Sequence, residues 1–161
     1  MSEGVKNLMQ LKIVAGALVG SVFVYVVVVF VLFMDPDPDQ VANTTLLFPM
    51  AGMAGLSMLA ILPLRKMLLG TFALPFLADG AGAGPQWSEQ VEQAALAKYA
   101  TGTIVGLAVA ESVAIYGLVA SFLAQDPMLV LPFAATAVLL MAAQFPSDAG
   151  LRAVAAASAR A

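Results

Sequence analysis

Residues 13–34, with the sequence IVAGALVGSVFVYVVVVFVLFM, are 22 consecutive residues without a charge. A helix needs about 20 apolar residues to cross the hydrocarbon core of a bilayer. The run is too long for the core of a signal peptide, and its end lacks the small residues of a cleavage site. We therefore predict a membrane-spanning helix that is retained in the protein.

The rest of the chain has the same apolar character. Of its 161 residues, 61% are hydrophobic and 11% are charged, whereas soluble domains are about half apolar and about a quarter charged. Further apolar segments at about 44–62, 101–124 and 127–145 are long enough to span a bilayer, and residues 63–100 form a connection. We predict an all-α fold in which 1–161 form one integral membrane domain, a four-helix transmembrane bundle.

The seven basic residues all fall on one side of this four-span arrangement, and the loops on the other side carry only acidic charges. Basic loops of membrane proteins stay in the cytoplasm. The pattern predicts a multi-pass protein of the cell inner (plasma) membrane with both termini cytoplasmic. The basic residues are Lys6, Lys12, Arg65, Lys66, Lys98, Arg152 and Arg160.

The 63–100 connection has an organisation of its own. Residues 79–85 read DGAGAGP and predict a flexible linker. Ser88 is a candidate N-cap for a helix that runs directly into the third span. Trp87 and Tyr99 have the amphipathic rings that anchor proteins at membrane interfaces, although ordinary packing explains them nearly as well.

The two halves of the chain resemble each other. A shift of 91 residues aligns ten identical residues of 13–36 and 104–127, and a shift of 83 aligns seven of 49–63 and 132–146. Ser21 matches Ser112, and Tyr25 matches Tyr116. Both hairpins begin on the same side, so we predict a duplicated parallel hairpin with its axis along the membrane normal.

Glu111 lies near the centre of the third span and matches Gly20 in the repeat. A charge at the bilayer midplane costs about 2.5–3.5 kcal/mol, and no basic residue lies in any predicted span. We expect a neutral acid at pH 7, able to donate one hydrogen bond, unless water reaches it. The candidate ion-binding residues at similar depth are Glu111, Ser112, Tyr116, Thr136 and Tyr25.

The alternative for the hydroxyls is a bond to the backbone of their own helix, which is the favoured interpretation for Thr136 and Ser57. Small residues spaced by four in the third span predict close helix packing, with small residues of the second span facing them. A ligand pocket there is the less favoured alternative. The predicted helix-packing residues are Gly102, Gly106, Ala110, Gly52 and Gly55.

Residues 111–120, ESVAIYGLVA, resemble the carboxylate helix of the c-type proteolipids of rotary ATPases. In that family a membrane acid precedes a segment like Ile-Tyr-Gly-Leu-Val. The resemblance implies that Glu111 binds a proton or a sodium ion. The family's acid lies in the second helix of a hairpin, whereas Glu111 lies in the first. The chain is also similar to small bacterial four-span membrane proteins with an acid before a Tyr-Gly or Phe-Gly step, which implies no activity.

Several functions are excluded by composition. The chain has no cysteine and no histidine, so thiolate and imidazole groups are absent from any metal, haem or catalytic site. We expect no metal, no cofactor and no enzyme activity, and residues 35–39, DPDPD, are expected to form a solvated acidic turn rather than a calcium loop. The net charge of −3 and the lack of a basic run argue against nucleic acid as a partner.

The leading interpretation is a structural or accessory subunit that packs in the lipid bilayer, as a homo-oligomer or within a larger membrane complex. The alternative is a proton- or cation-translocating, proteolipid-like subunit that uses Glu111. A small transporter with its site between the repeats is a third class, which a second polar midplane residue on an interrupted helix would favour.

The charge pattern predicts the topology in the membrane. Reporter fusions after Gly82 and after Ala161 should both read cytoplasmic, and a fusion after Gln40 should read outside, because the basic residues stay in the cytoplasm. A fusion after Gly82 that reads outside would contradict the four-span arrangement.

Overall fold

The computed structural model describes residues 3–34, 44–69 and 89–158, which form five α-helices and two short 3-10 turns. No β-strand occurs in these residues, so the all-α prediction is confirmed for them. The predicted turn at 35–39, the linker at 79–85, Trp87 and Ser88 lie outside the described residues. The helices are α1 (Glu3–Leu32), α2 (Leu47–Leu69), α3 (Glu89–Ala124), α4 (Val130–Ala143) and α5 (Asp148–Ser158), with 3-10 turns at Thr44–Leu46 and Pro127–Leu129.

Three helices are long and apolar enough to cross a membrane, over Leu8–Leu32, Leu47–Leu69 and Gln93–Ala124. The count rises to four where Pro127–Ala143 and Asp148–Ser158, bent by 59°, are taken as one span. This is compatible with the predicted membrane class. The fourth predicted span, 127–145, is shorter in the structure: α4 ends at Ala143, and its 14 residues extend about 21 Å.

The second helix also differs from its predicted bounds, whereas the third agrees with them. We predicted that the second span ends at residue 62, but α2 continues past Pro63 to Leu69. A proline inside a helix removes one backbone hydrogen bond, and the helix that continues past it buries Leu69 against the protein while Met67 stays exposed. α3 begins at Glu89 and continues without a break to Ala124, which confirms the helix predicted to run directly into the third span.

α3 lies at the centre of the structure and packs against α1, α2, α4 and α5, whereas α1 and α2 make few contacts with each other. The first half therefore lacks a packed pair equivalent to α3 and α4, and the hairpin duplication stays a prediction. A central apolar cluster joins the four longest helices. Its buried residues are Ala15, Val22, Ala54, Leu107, Ala110, Val113, Ala114, Ala134, Ala137 and Met141.

α1 and α3 run in the same direction. The rings of Phe33 and Phe122 stack with centroids 5.8 Å apart near the C-terminal ends of α1 and α3, so these helices are parallel. A second apolar cluster joins the N-terminal parts of both helices to the C-terminal end of α2 and to α5. Asp126 lies at the opposite end from this cluster. The basic residues near the cluster are Lys12, Lys66, Lys98 and Arg152.

The turn between α3 and α4 is fixed by local hydrogen bonds. Gln125 has a φ of 54°, in the left-handed region, and the N–H of Asp126 donates to the carbonyl of Ser121 at 3.1 Å. This 6→1 bond is the Schellman motif that ends many helices. The Asp126 carboxylate then accepts from the N–H of Met128 at 2.9 Å, and Pro127 occupies the first turn of the next element.

Two glycines of α3 lie at close helix contacts, where a packing surface was predicted. A Cβ added to Gly102 would lie 2.8 Å from Cγ of Leu69 in α2, and one added to Gly106 would collide with the Gln144 side chain at the end of α4. Ala110, the third predicted packing residue, is fully buried. These contacts place small residues where neighbouring elements approach the α3 backbone.

The facing surface predicted on α2 differs from the observed one. A Cβ added to Gly52 or Gly55 would meet nothing within 4 Å. α2 instead turns Ala54, Ile61 and Leu69 inward, and these side chains are buried. Because the two glycines lie beside this stripe rather than on it, they are not the surface that α3 contacts.

Tyr99 connects α3 to the start of α5 and is fully buried. The N–H of Ser147 donates to the Tyr99 hydroxyl at 3.0 Å, and that hydroxyl lies 3.3 Å from the Ser147 carbonyl oxygen. A Cβ added to Gly150 would come within 2.6 Å of the same hydroxyl. Tyr99 is therefore a packing residue, which is the alternative that the sequence left open, and not the predicted interfacial anchor.

The contact between α3 and α4 gives a sharp test of close packing. A Cβ at Gly117 would lie 2.9 Å from Cγ of Phe133 and nearer still to its Cβ, an atom that cannot swing away. We expect Gly117→Ala to lower the free energy of unfolding in detergent by about 1–3 kcal/mol. The matched control is Gly52→Ala, where the added methyl meets nothing within 4 Å. Equal losses in the two variants would contradict the close contact.

Candidate functional site

Glu111 lies at the boundary between the buried and exposed faces of α3. Successive residues of a helix are about 100° apart. On one side of Glu111 around the helix, Leu107 and Ala114 are fully buried; on the other side, Ile104 and Ile115 are exposed. The Glu111 side chain is half-buried at this edge and faces α1.

Two hydroxyls of α1 meet the Glu111 carboxyl. Ser21 and Tyr25 are one helical turn apart and share a face of α1. Ser21 Oγ lies 2.6 Å from Oε1 of Glu111, and the Tyr25 hydroxyl donates to the same oxygen at 2.8 Å. Ser21 Oγ also donates to the carbonyl of Leu18 at 2.7 Å. We call Glu111, Ser21, Tyr25 and the Leu18 carbonyl the Glu111 cluster.

The Glu111 cluster is far from positive charge along its own helices. Lys98 precedes Glu111 by 13 residues on α3, about 20 Å along the axis. Lys12 precedes Ser21 by nine residues on α1, about 14 Å. In apolar surroundings a carboxyl without a paired cation relies on hydrogen bonds for its stability. The two hydroxyls of α1 supply them.

Of the predicted partners of Glu111, the structure brings Tyr25 to the carboxyl and places the others elsewhere. Ser112 Oγ donates to a backbone carbonyl three residues earlier at 2.7 Å, and Thr136 Oγ1 to one four residues earlier at 2.8 Å. Both bonds lie within one helix, which is the alternative that the sequence left open. Tyr116 packs against the central apolar cluster.

Ser21 is the site residue that sequence reasoning missed. Two signals pointed to it: its place one turn before Tyr25, and its match to Ser112 in the predicted repeat. The sequence predicts the depth of Ser21 along α1. The sequence does not predict which face of α1 turns to α3, and it is this face that brings Ser21 to the Glu111 carboxyl.

A groove of about 280 Å³ lies between α2, α3 and α4. Its walls are apolar and include Met58, Val113 and Phe133. The Thr136 hydroxyl at its edge is bonded within its own helix. The groove therefore offers little to a polar substrate.

Within residues 3–34, 44–69 and 89–158, no group of three or more His, Cys, Asp or Glu residues could hold a metal ion. No family model, curated protein or solved structure matches the chain. Fold and site define a helical protein with three or four helices apolar enough to cross a membrane and a hydrogen-bonded acid between two of them.

The contacts of the Glu111 cluster imply that removing either hydroxyl lowers the stability of the fold. We expect Ser21→Ala and Tyr25→Phe each to lower the free energy of unfolding in detergent by about 0.6–2 kcal/mol, the range for side-chain hydrogen bonds between membrane helices. The control is Ser57→Ala, whose hydroxyl bonds the Met53 carbonyl of its own helix at 2.9 Å. A loss in Ser57→Ala as large as in the other two would show that the bonds to Glu111 are not responsible.

Proposed function

We propose that this chain is an integral protein of the plasma membrane with four spans and cytoplasmic termini, and that it acts as a structural or accessory subunit. Its expected partners are lipid and either further copies of itself or a larger membrane complex. The observation that carries the proposal is that Glu111 is bound within its own chain, by Ser21 and Tyr25 of α1. An acid held in this way ties two helices together and needs no substrate to account for it.

The outward faces of α1 and α2 support a role in assembly. In the most apolar 18-residue stretch of each helix, 17% is buried within the chain in α1 and 12% in α2, compared with 44% in α3. Phe48 and Leu59 of α2 are 86% and 74% exposed. In a bilayer such side chains contact lipid or the helices of a neighbouring subunit.

Open glycines on α1 favour a neighbouring helix over lipid alone. Gly16 and Gly20 are four residues apart, and a Cβ at either would meet nothing within 4 Å. Glycine in a helix costs about 1 kcal/mol relative to alanine, and two glycines at this spacing let another helix backbone approach closely. A helix from a second subunit would make use of both.

A second function is favoured by the position of Glu111 at the edge of the buried face. The carboxyl is half-buried next to the exposed side chains of Ile104 and Ile115, so a partner subunit can reach it from the lipid side. A proton- or cation-translocating subunit needs such access, and the resemblance of residues 111–120 to c-type proteolipids points the same way. The apolar groove gives the transporter class no comparable support.

Purification from native membranes in a mild detergent tests the subunit role. We expect the wild type to elute above the 16.6 kDa mass of one chain, after correction for detergent, with further copies or other chains. Glu111→Gln should elute in the same way, because glutamine keeps the shape and most hydrogen bonds of a neutral acid. A wild-type protein that elutes as one chain without companions would contradict the proposal.

Dicyclohexylcarbodiimide, which modifies protonated carboxyls that it can reach from lipid, separates the two functions. For a structural acid we expect slow labelling of Glu111 and normal assembly of Glu111→Gln. Rapid labelling that fades as the pH rises, together with loss of proton flux in vesicles that contain Glu111→Gln, would place the proteolipid-like function first.

A further inference from the structure

Thr103 of α3 carries a buried hydroxyl that has no hydrogen-bond partner within residues 3–34, 44–69 and 89–158. The residue is 4% exposed. Thr101 in the same helix donates to the carbonyl four residues earlier at 3.0 Å, and Ser121 does so at 2.9 Å. A buried hydroxyl without a partner destabilises a fold, so this group needs a ligand that the described part of the chain does not supply.

A second polar atom in the same position is Oε1 of Gln144, at the break between α4 and α5. Gln144 is 3% exposed. Its Nε2 donates to the carbonyls of Gly106 at 3.4 Å and of Leu140 at 3.2 Å, which uses both amide hydrogens. These two acceptors also identify the nitrogen end of the amide, because an oxygen there would face only other acceptors. Oε1 therefore has no donor among the residues that the structure describes.

The two groups lie on one face of α3. Tyr99 contacts Ser147 and Gly106 contacts Gln144, so the residues four before and three after Thr103 both meet the α4–α5 break. Residues at these spacings share a helix face.

The distance between the two groups suits a bridging molecule. Oε1 of Gln144 lies against the position that a Cβ of Gly106 would take, and Cβ positions three residues apart on a helix are about 5–6 Å from each other. Thr103 and Oε1 are therefore too far apart for a direct hydrogen bond. The spacing fits one oxygen atom between them, with a hydrogen bond of about 2.8 Å on each side.

We infer that one water molecule is bound between Thr103 and Gln144 and bridges α3 to the α4–α5 break. The water accepts the hydrogen of the Thr103 hydroxyl and donates one of its own to Oε1 of Gln144. Buried waters are held by about two to four polar groups, and this pair supplies a donor and an acceptor. The site is separate from the Glu111 cluster and does not depend on the proposed function.

The chemistry of the two groups favours water over a metal ion. Thr103 has a hydrogen to donate, which a metal ion cannot accept. A hard cation such as Ca²⁺ takes about six to eight oxygen ligands, whereas the bridge offers two oxygen atoms. Within the described ranges, no group of three or more acidic residues could add the missing ligands.

The water completes the hydrogen bonding of the break. The N–H groups of Gln144 and Phe145 donate to carbonyls at the end of α4, and that of Ser147 donates to the Tyr99 hydroxyl. Pro146 has no N–H. Direct bonds thus satisfy the backbone donors, and the water satisfies Thr103 and Oε1 of Gln144. In apolar surroundings, an interruption such as this 59° bend persists only where its polar groups find partners.

Nuclear Overhauser measurements between water and the full chain in detergent test the bridge. The side-chain amide of Gln144 should show cross-relaxation with a long-lived water, and rotating-frame spectra separate this signal from proton exchange. Thr103→Ser keeps the hydroxyl and should keep the signal, whereas Thr103→Val keeps the side-chain shape and should lose it. A wild-type protein without the signal overturns the inference, and the wild-type spectrum decides alone if a variant does not fold.

Thermal unfolding in detergent gives opposite signs for a bridged and an unbridged hydroxyl. With the water bound, Thr103→Val removes one of its partners, so Tm should fall below that of the wild type. Removal of a hydroxyl that bonds nothing would leave Tm equal or raise it, and either result overturns the inference. The matched control is Thr136→Val, whose hydroxyl bonds the backbone of its own helix at 2.8 Å and whose loss should change Tm less.

A change of salt separates water from a cation. Replacement of sodium chloride by choline chloride at equal ionic strength should leave the Tm of the wild type unchanged, because water is present in both. A Tm that rises with sodium in the wild type and not in Thr103→Val would show a cation at the site and overturn the inference.

Discussion

A carboxyl group in an apolar helix has to find hydrogen-bond partners, and this constraint fixes how α1 lies against α3. Apolar packing alone allows many rotations of the valine-rich α1 against the alanine-rich α3. Ser21 and Tyr25 meet Glu111 at one rotation and one register. Phe33 follows Ser21 by 12 residues and Phe122 follows Glu111 by 11, so the same register brings their rings into the observed stack.

α2 and the body of α4 are held on α3 by close approach. Gly102 and Gly117 leave room for side chains of α2 and α4, and a methyl group at either position would collide with them. Close contact stabilises through dispersion and loses strength steeply with distance. α3 therefore has two kinds of surface: a glycine and alanine face that depends on shape, and one edge that depends on the hydrogen bonds of Glu111.

Sequence reasoning reached the all-α fold, the long apolar helices, the continuous α3 and Glu111 as the polar centre, because length and composition determine these. It missed the face of α1 that meets α3, since residues 13–34 are apolar all around and show no amphipathic stripe. It ended the fourth span at residue 145, two residues past the end of α4, but it did not predict α5. Gln144 between these two helices is 3% exposed and bonds the Gly106 carbonyl at 3.4 Å, a tertiary contact that no local pattern encodes.

The packing gives a physical reason why one half of the chain carries the acid and the other does not. In the predicted duplication, Gly20 of α1 matches Glu111 of α3. A Cβ at Gly20 would meet nothing within 4 Å, so an acid there would point away from the chain without a partner. α3 is enclosed by its neighbours, and position 111 faces the hydroxyls of Ser21 and Tyr25. The two positions that the predicted repeat matches thus face different surroundings, and position 111 is the one of the two whose side chain meets hydroxyls within the described helices.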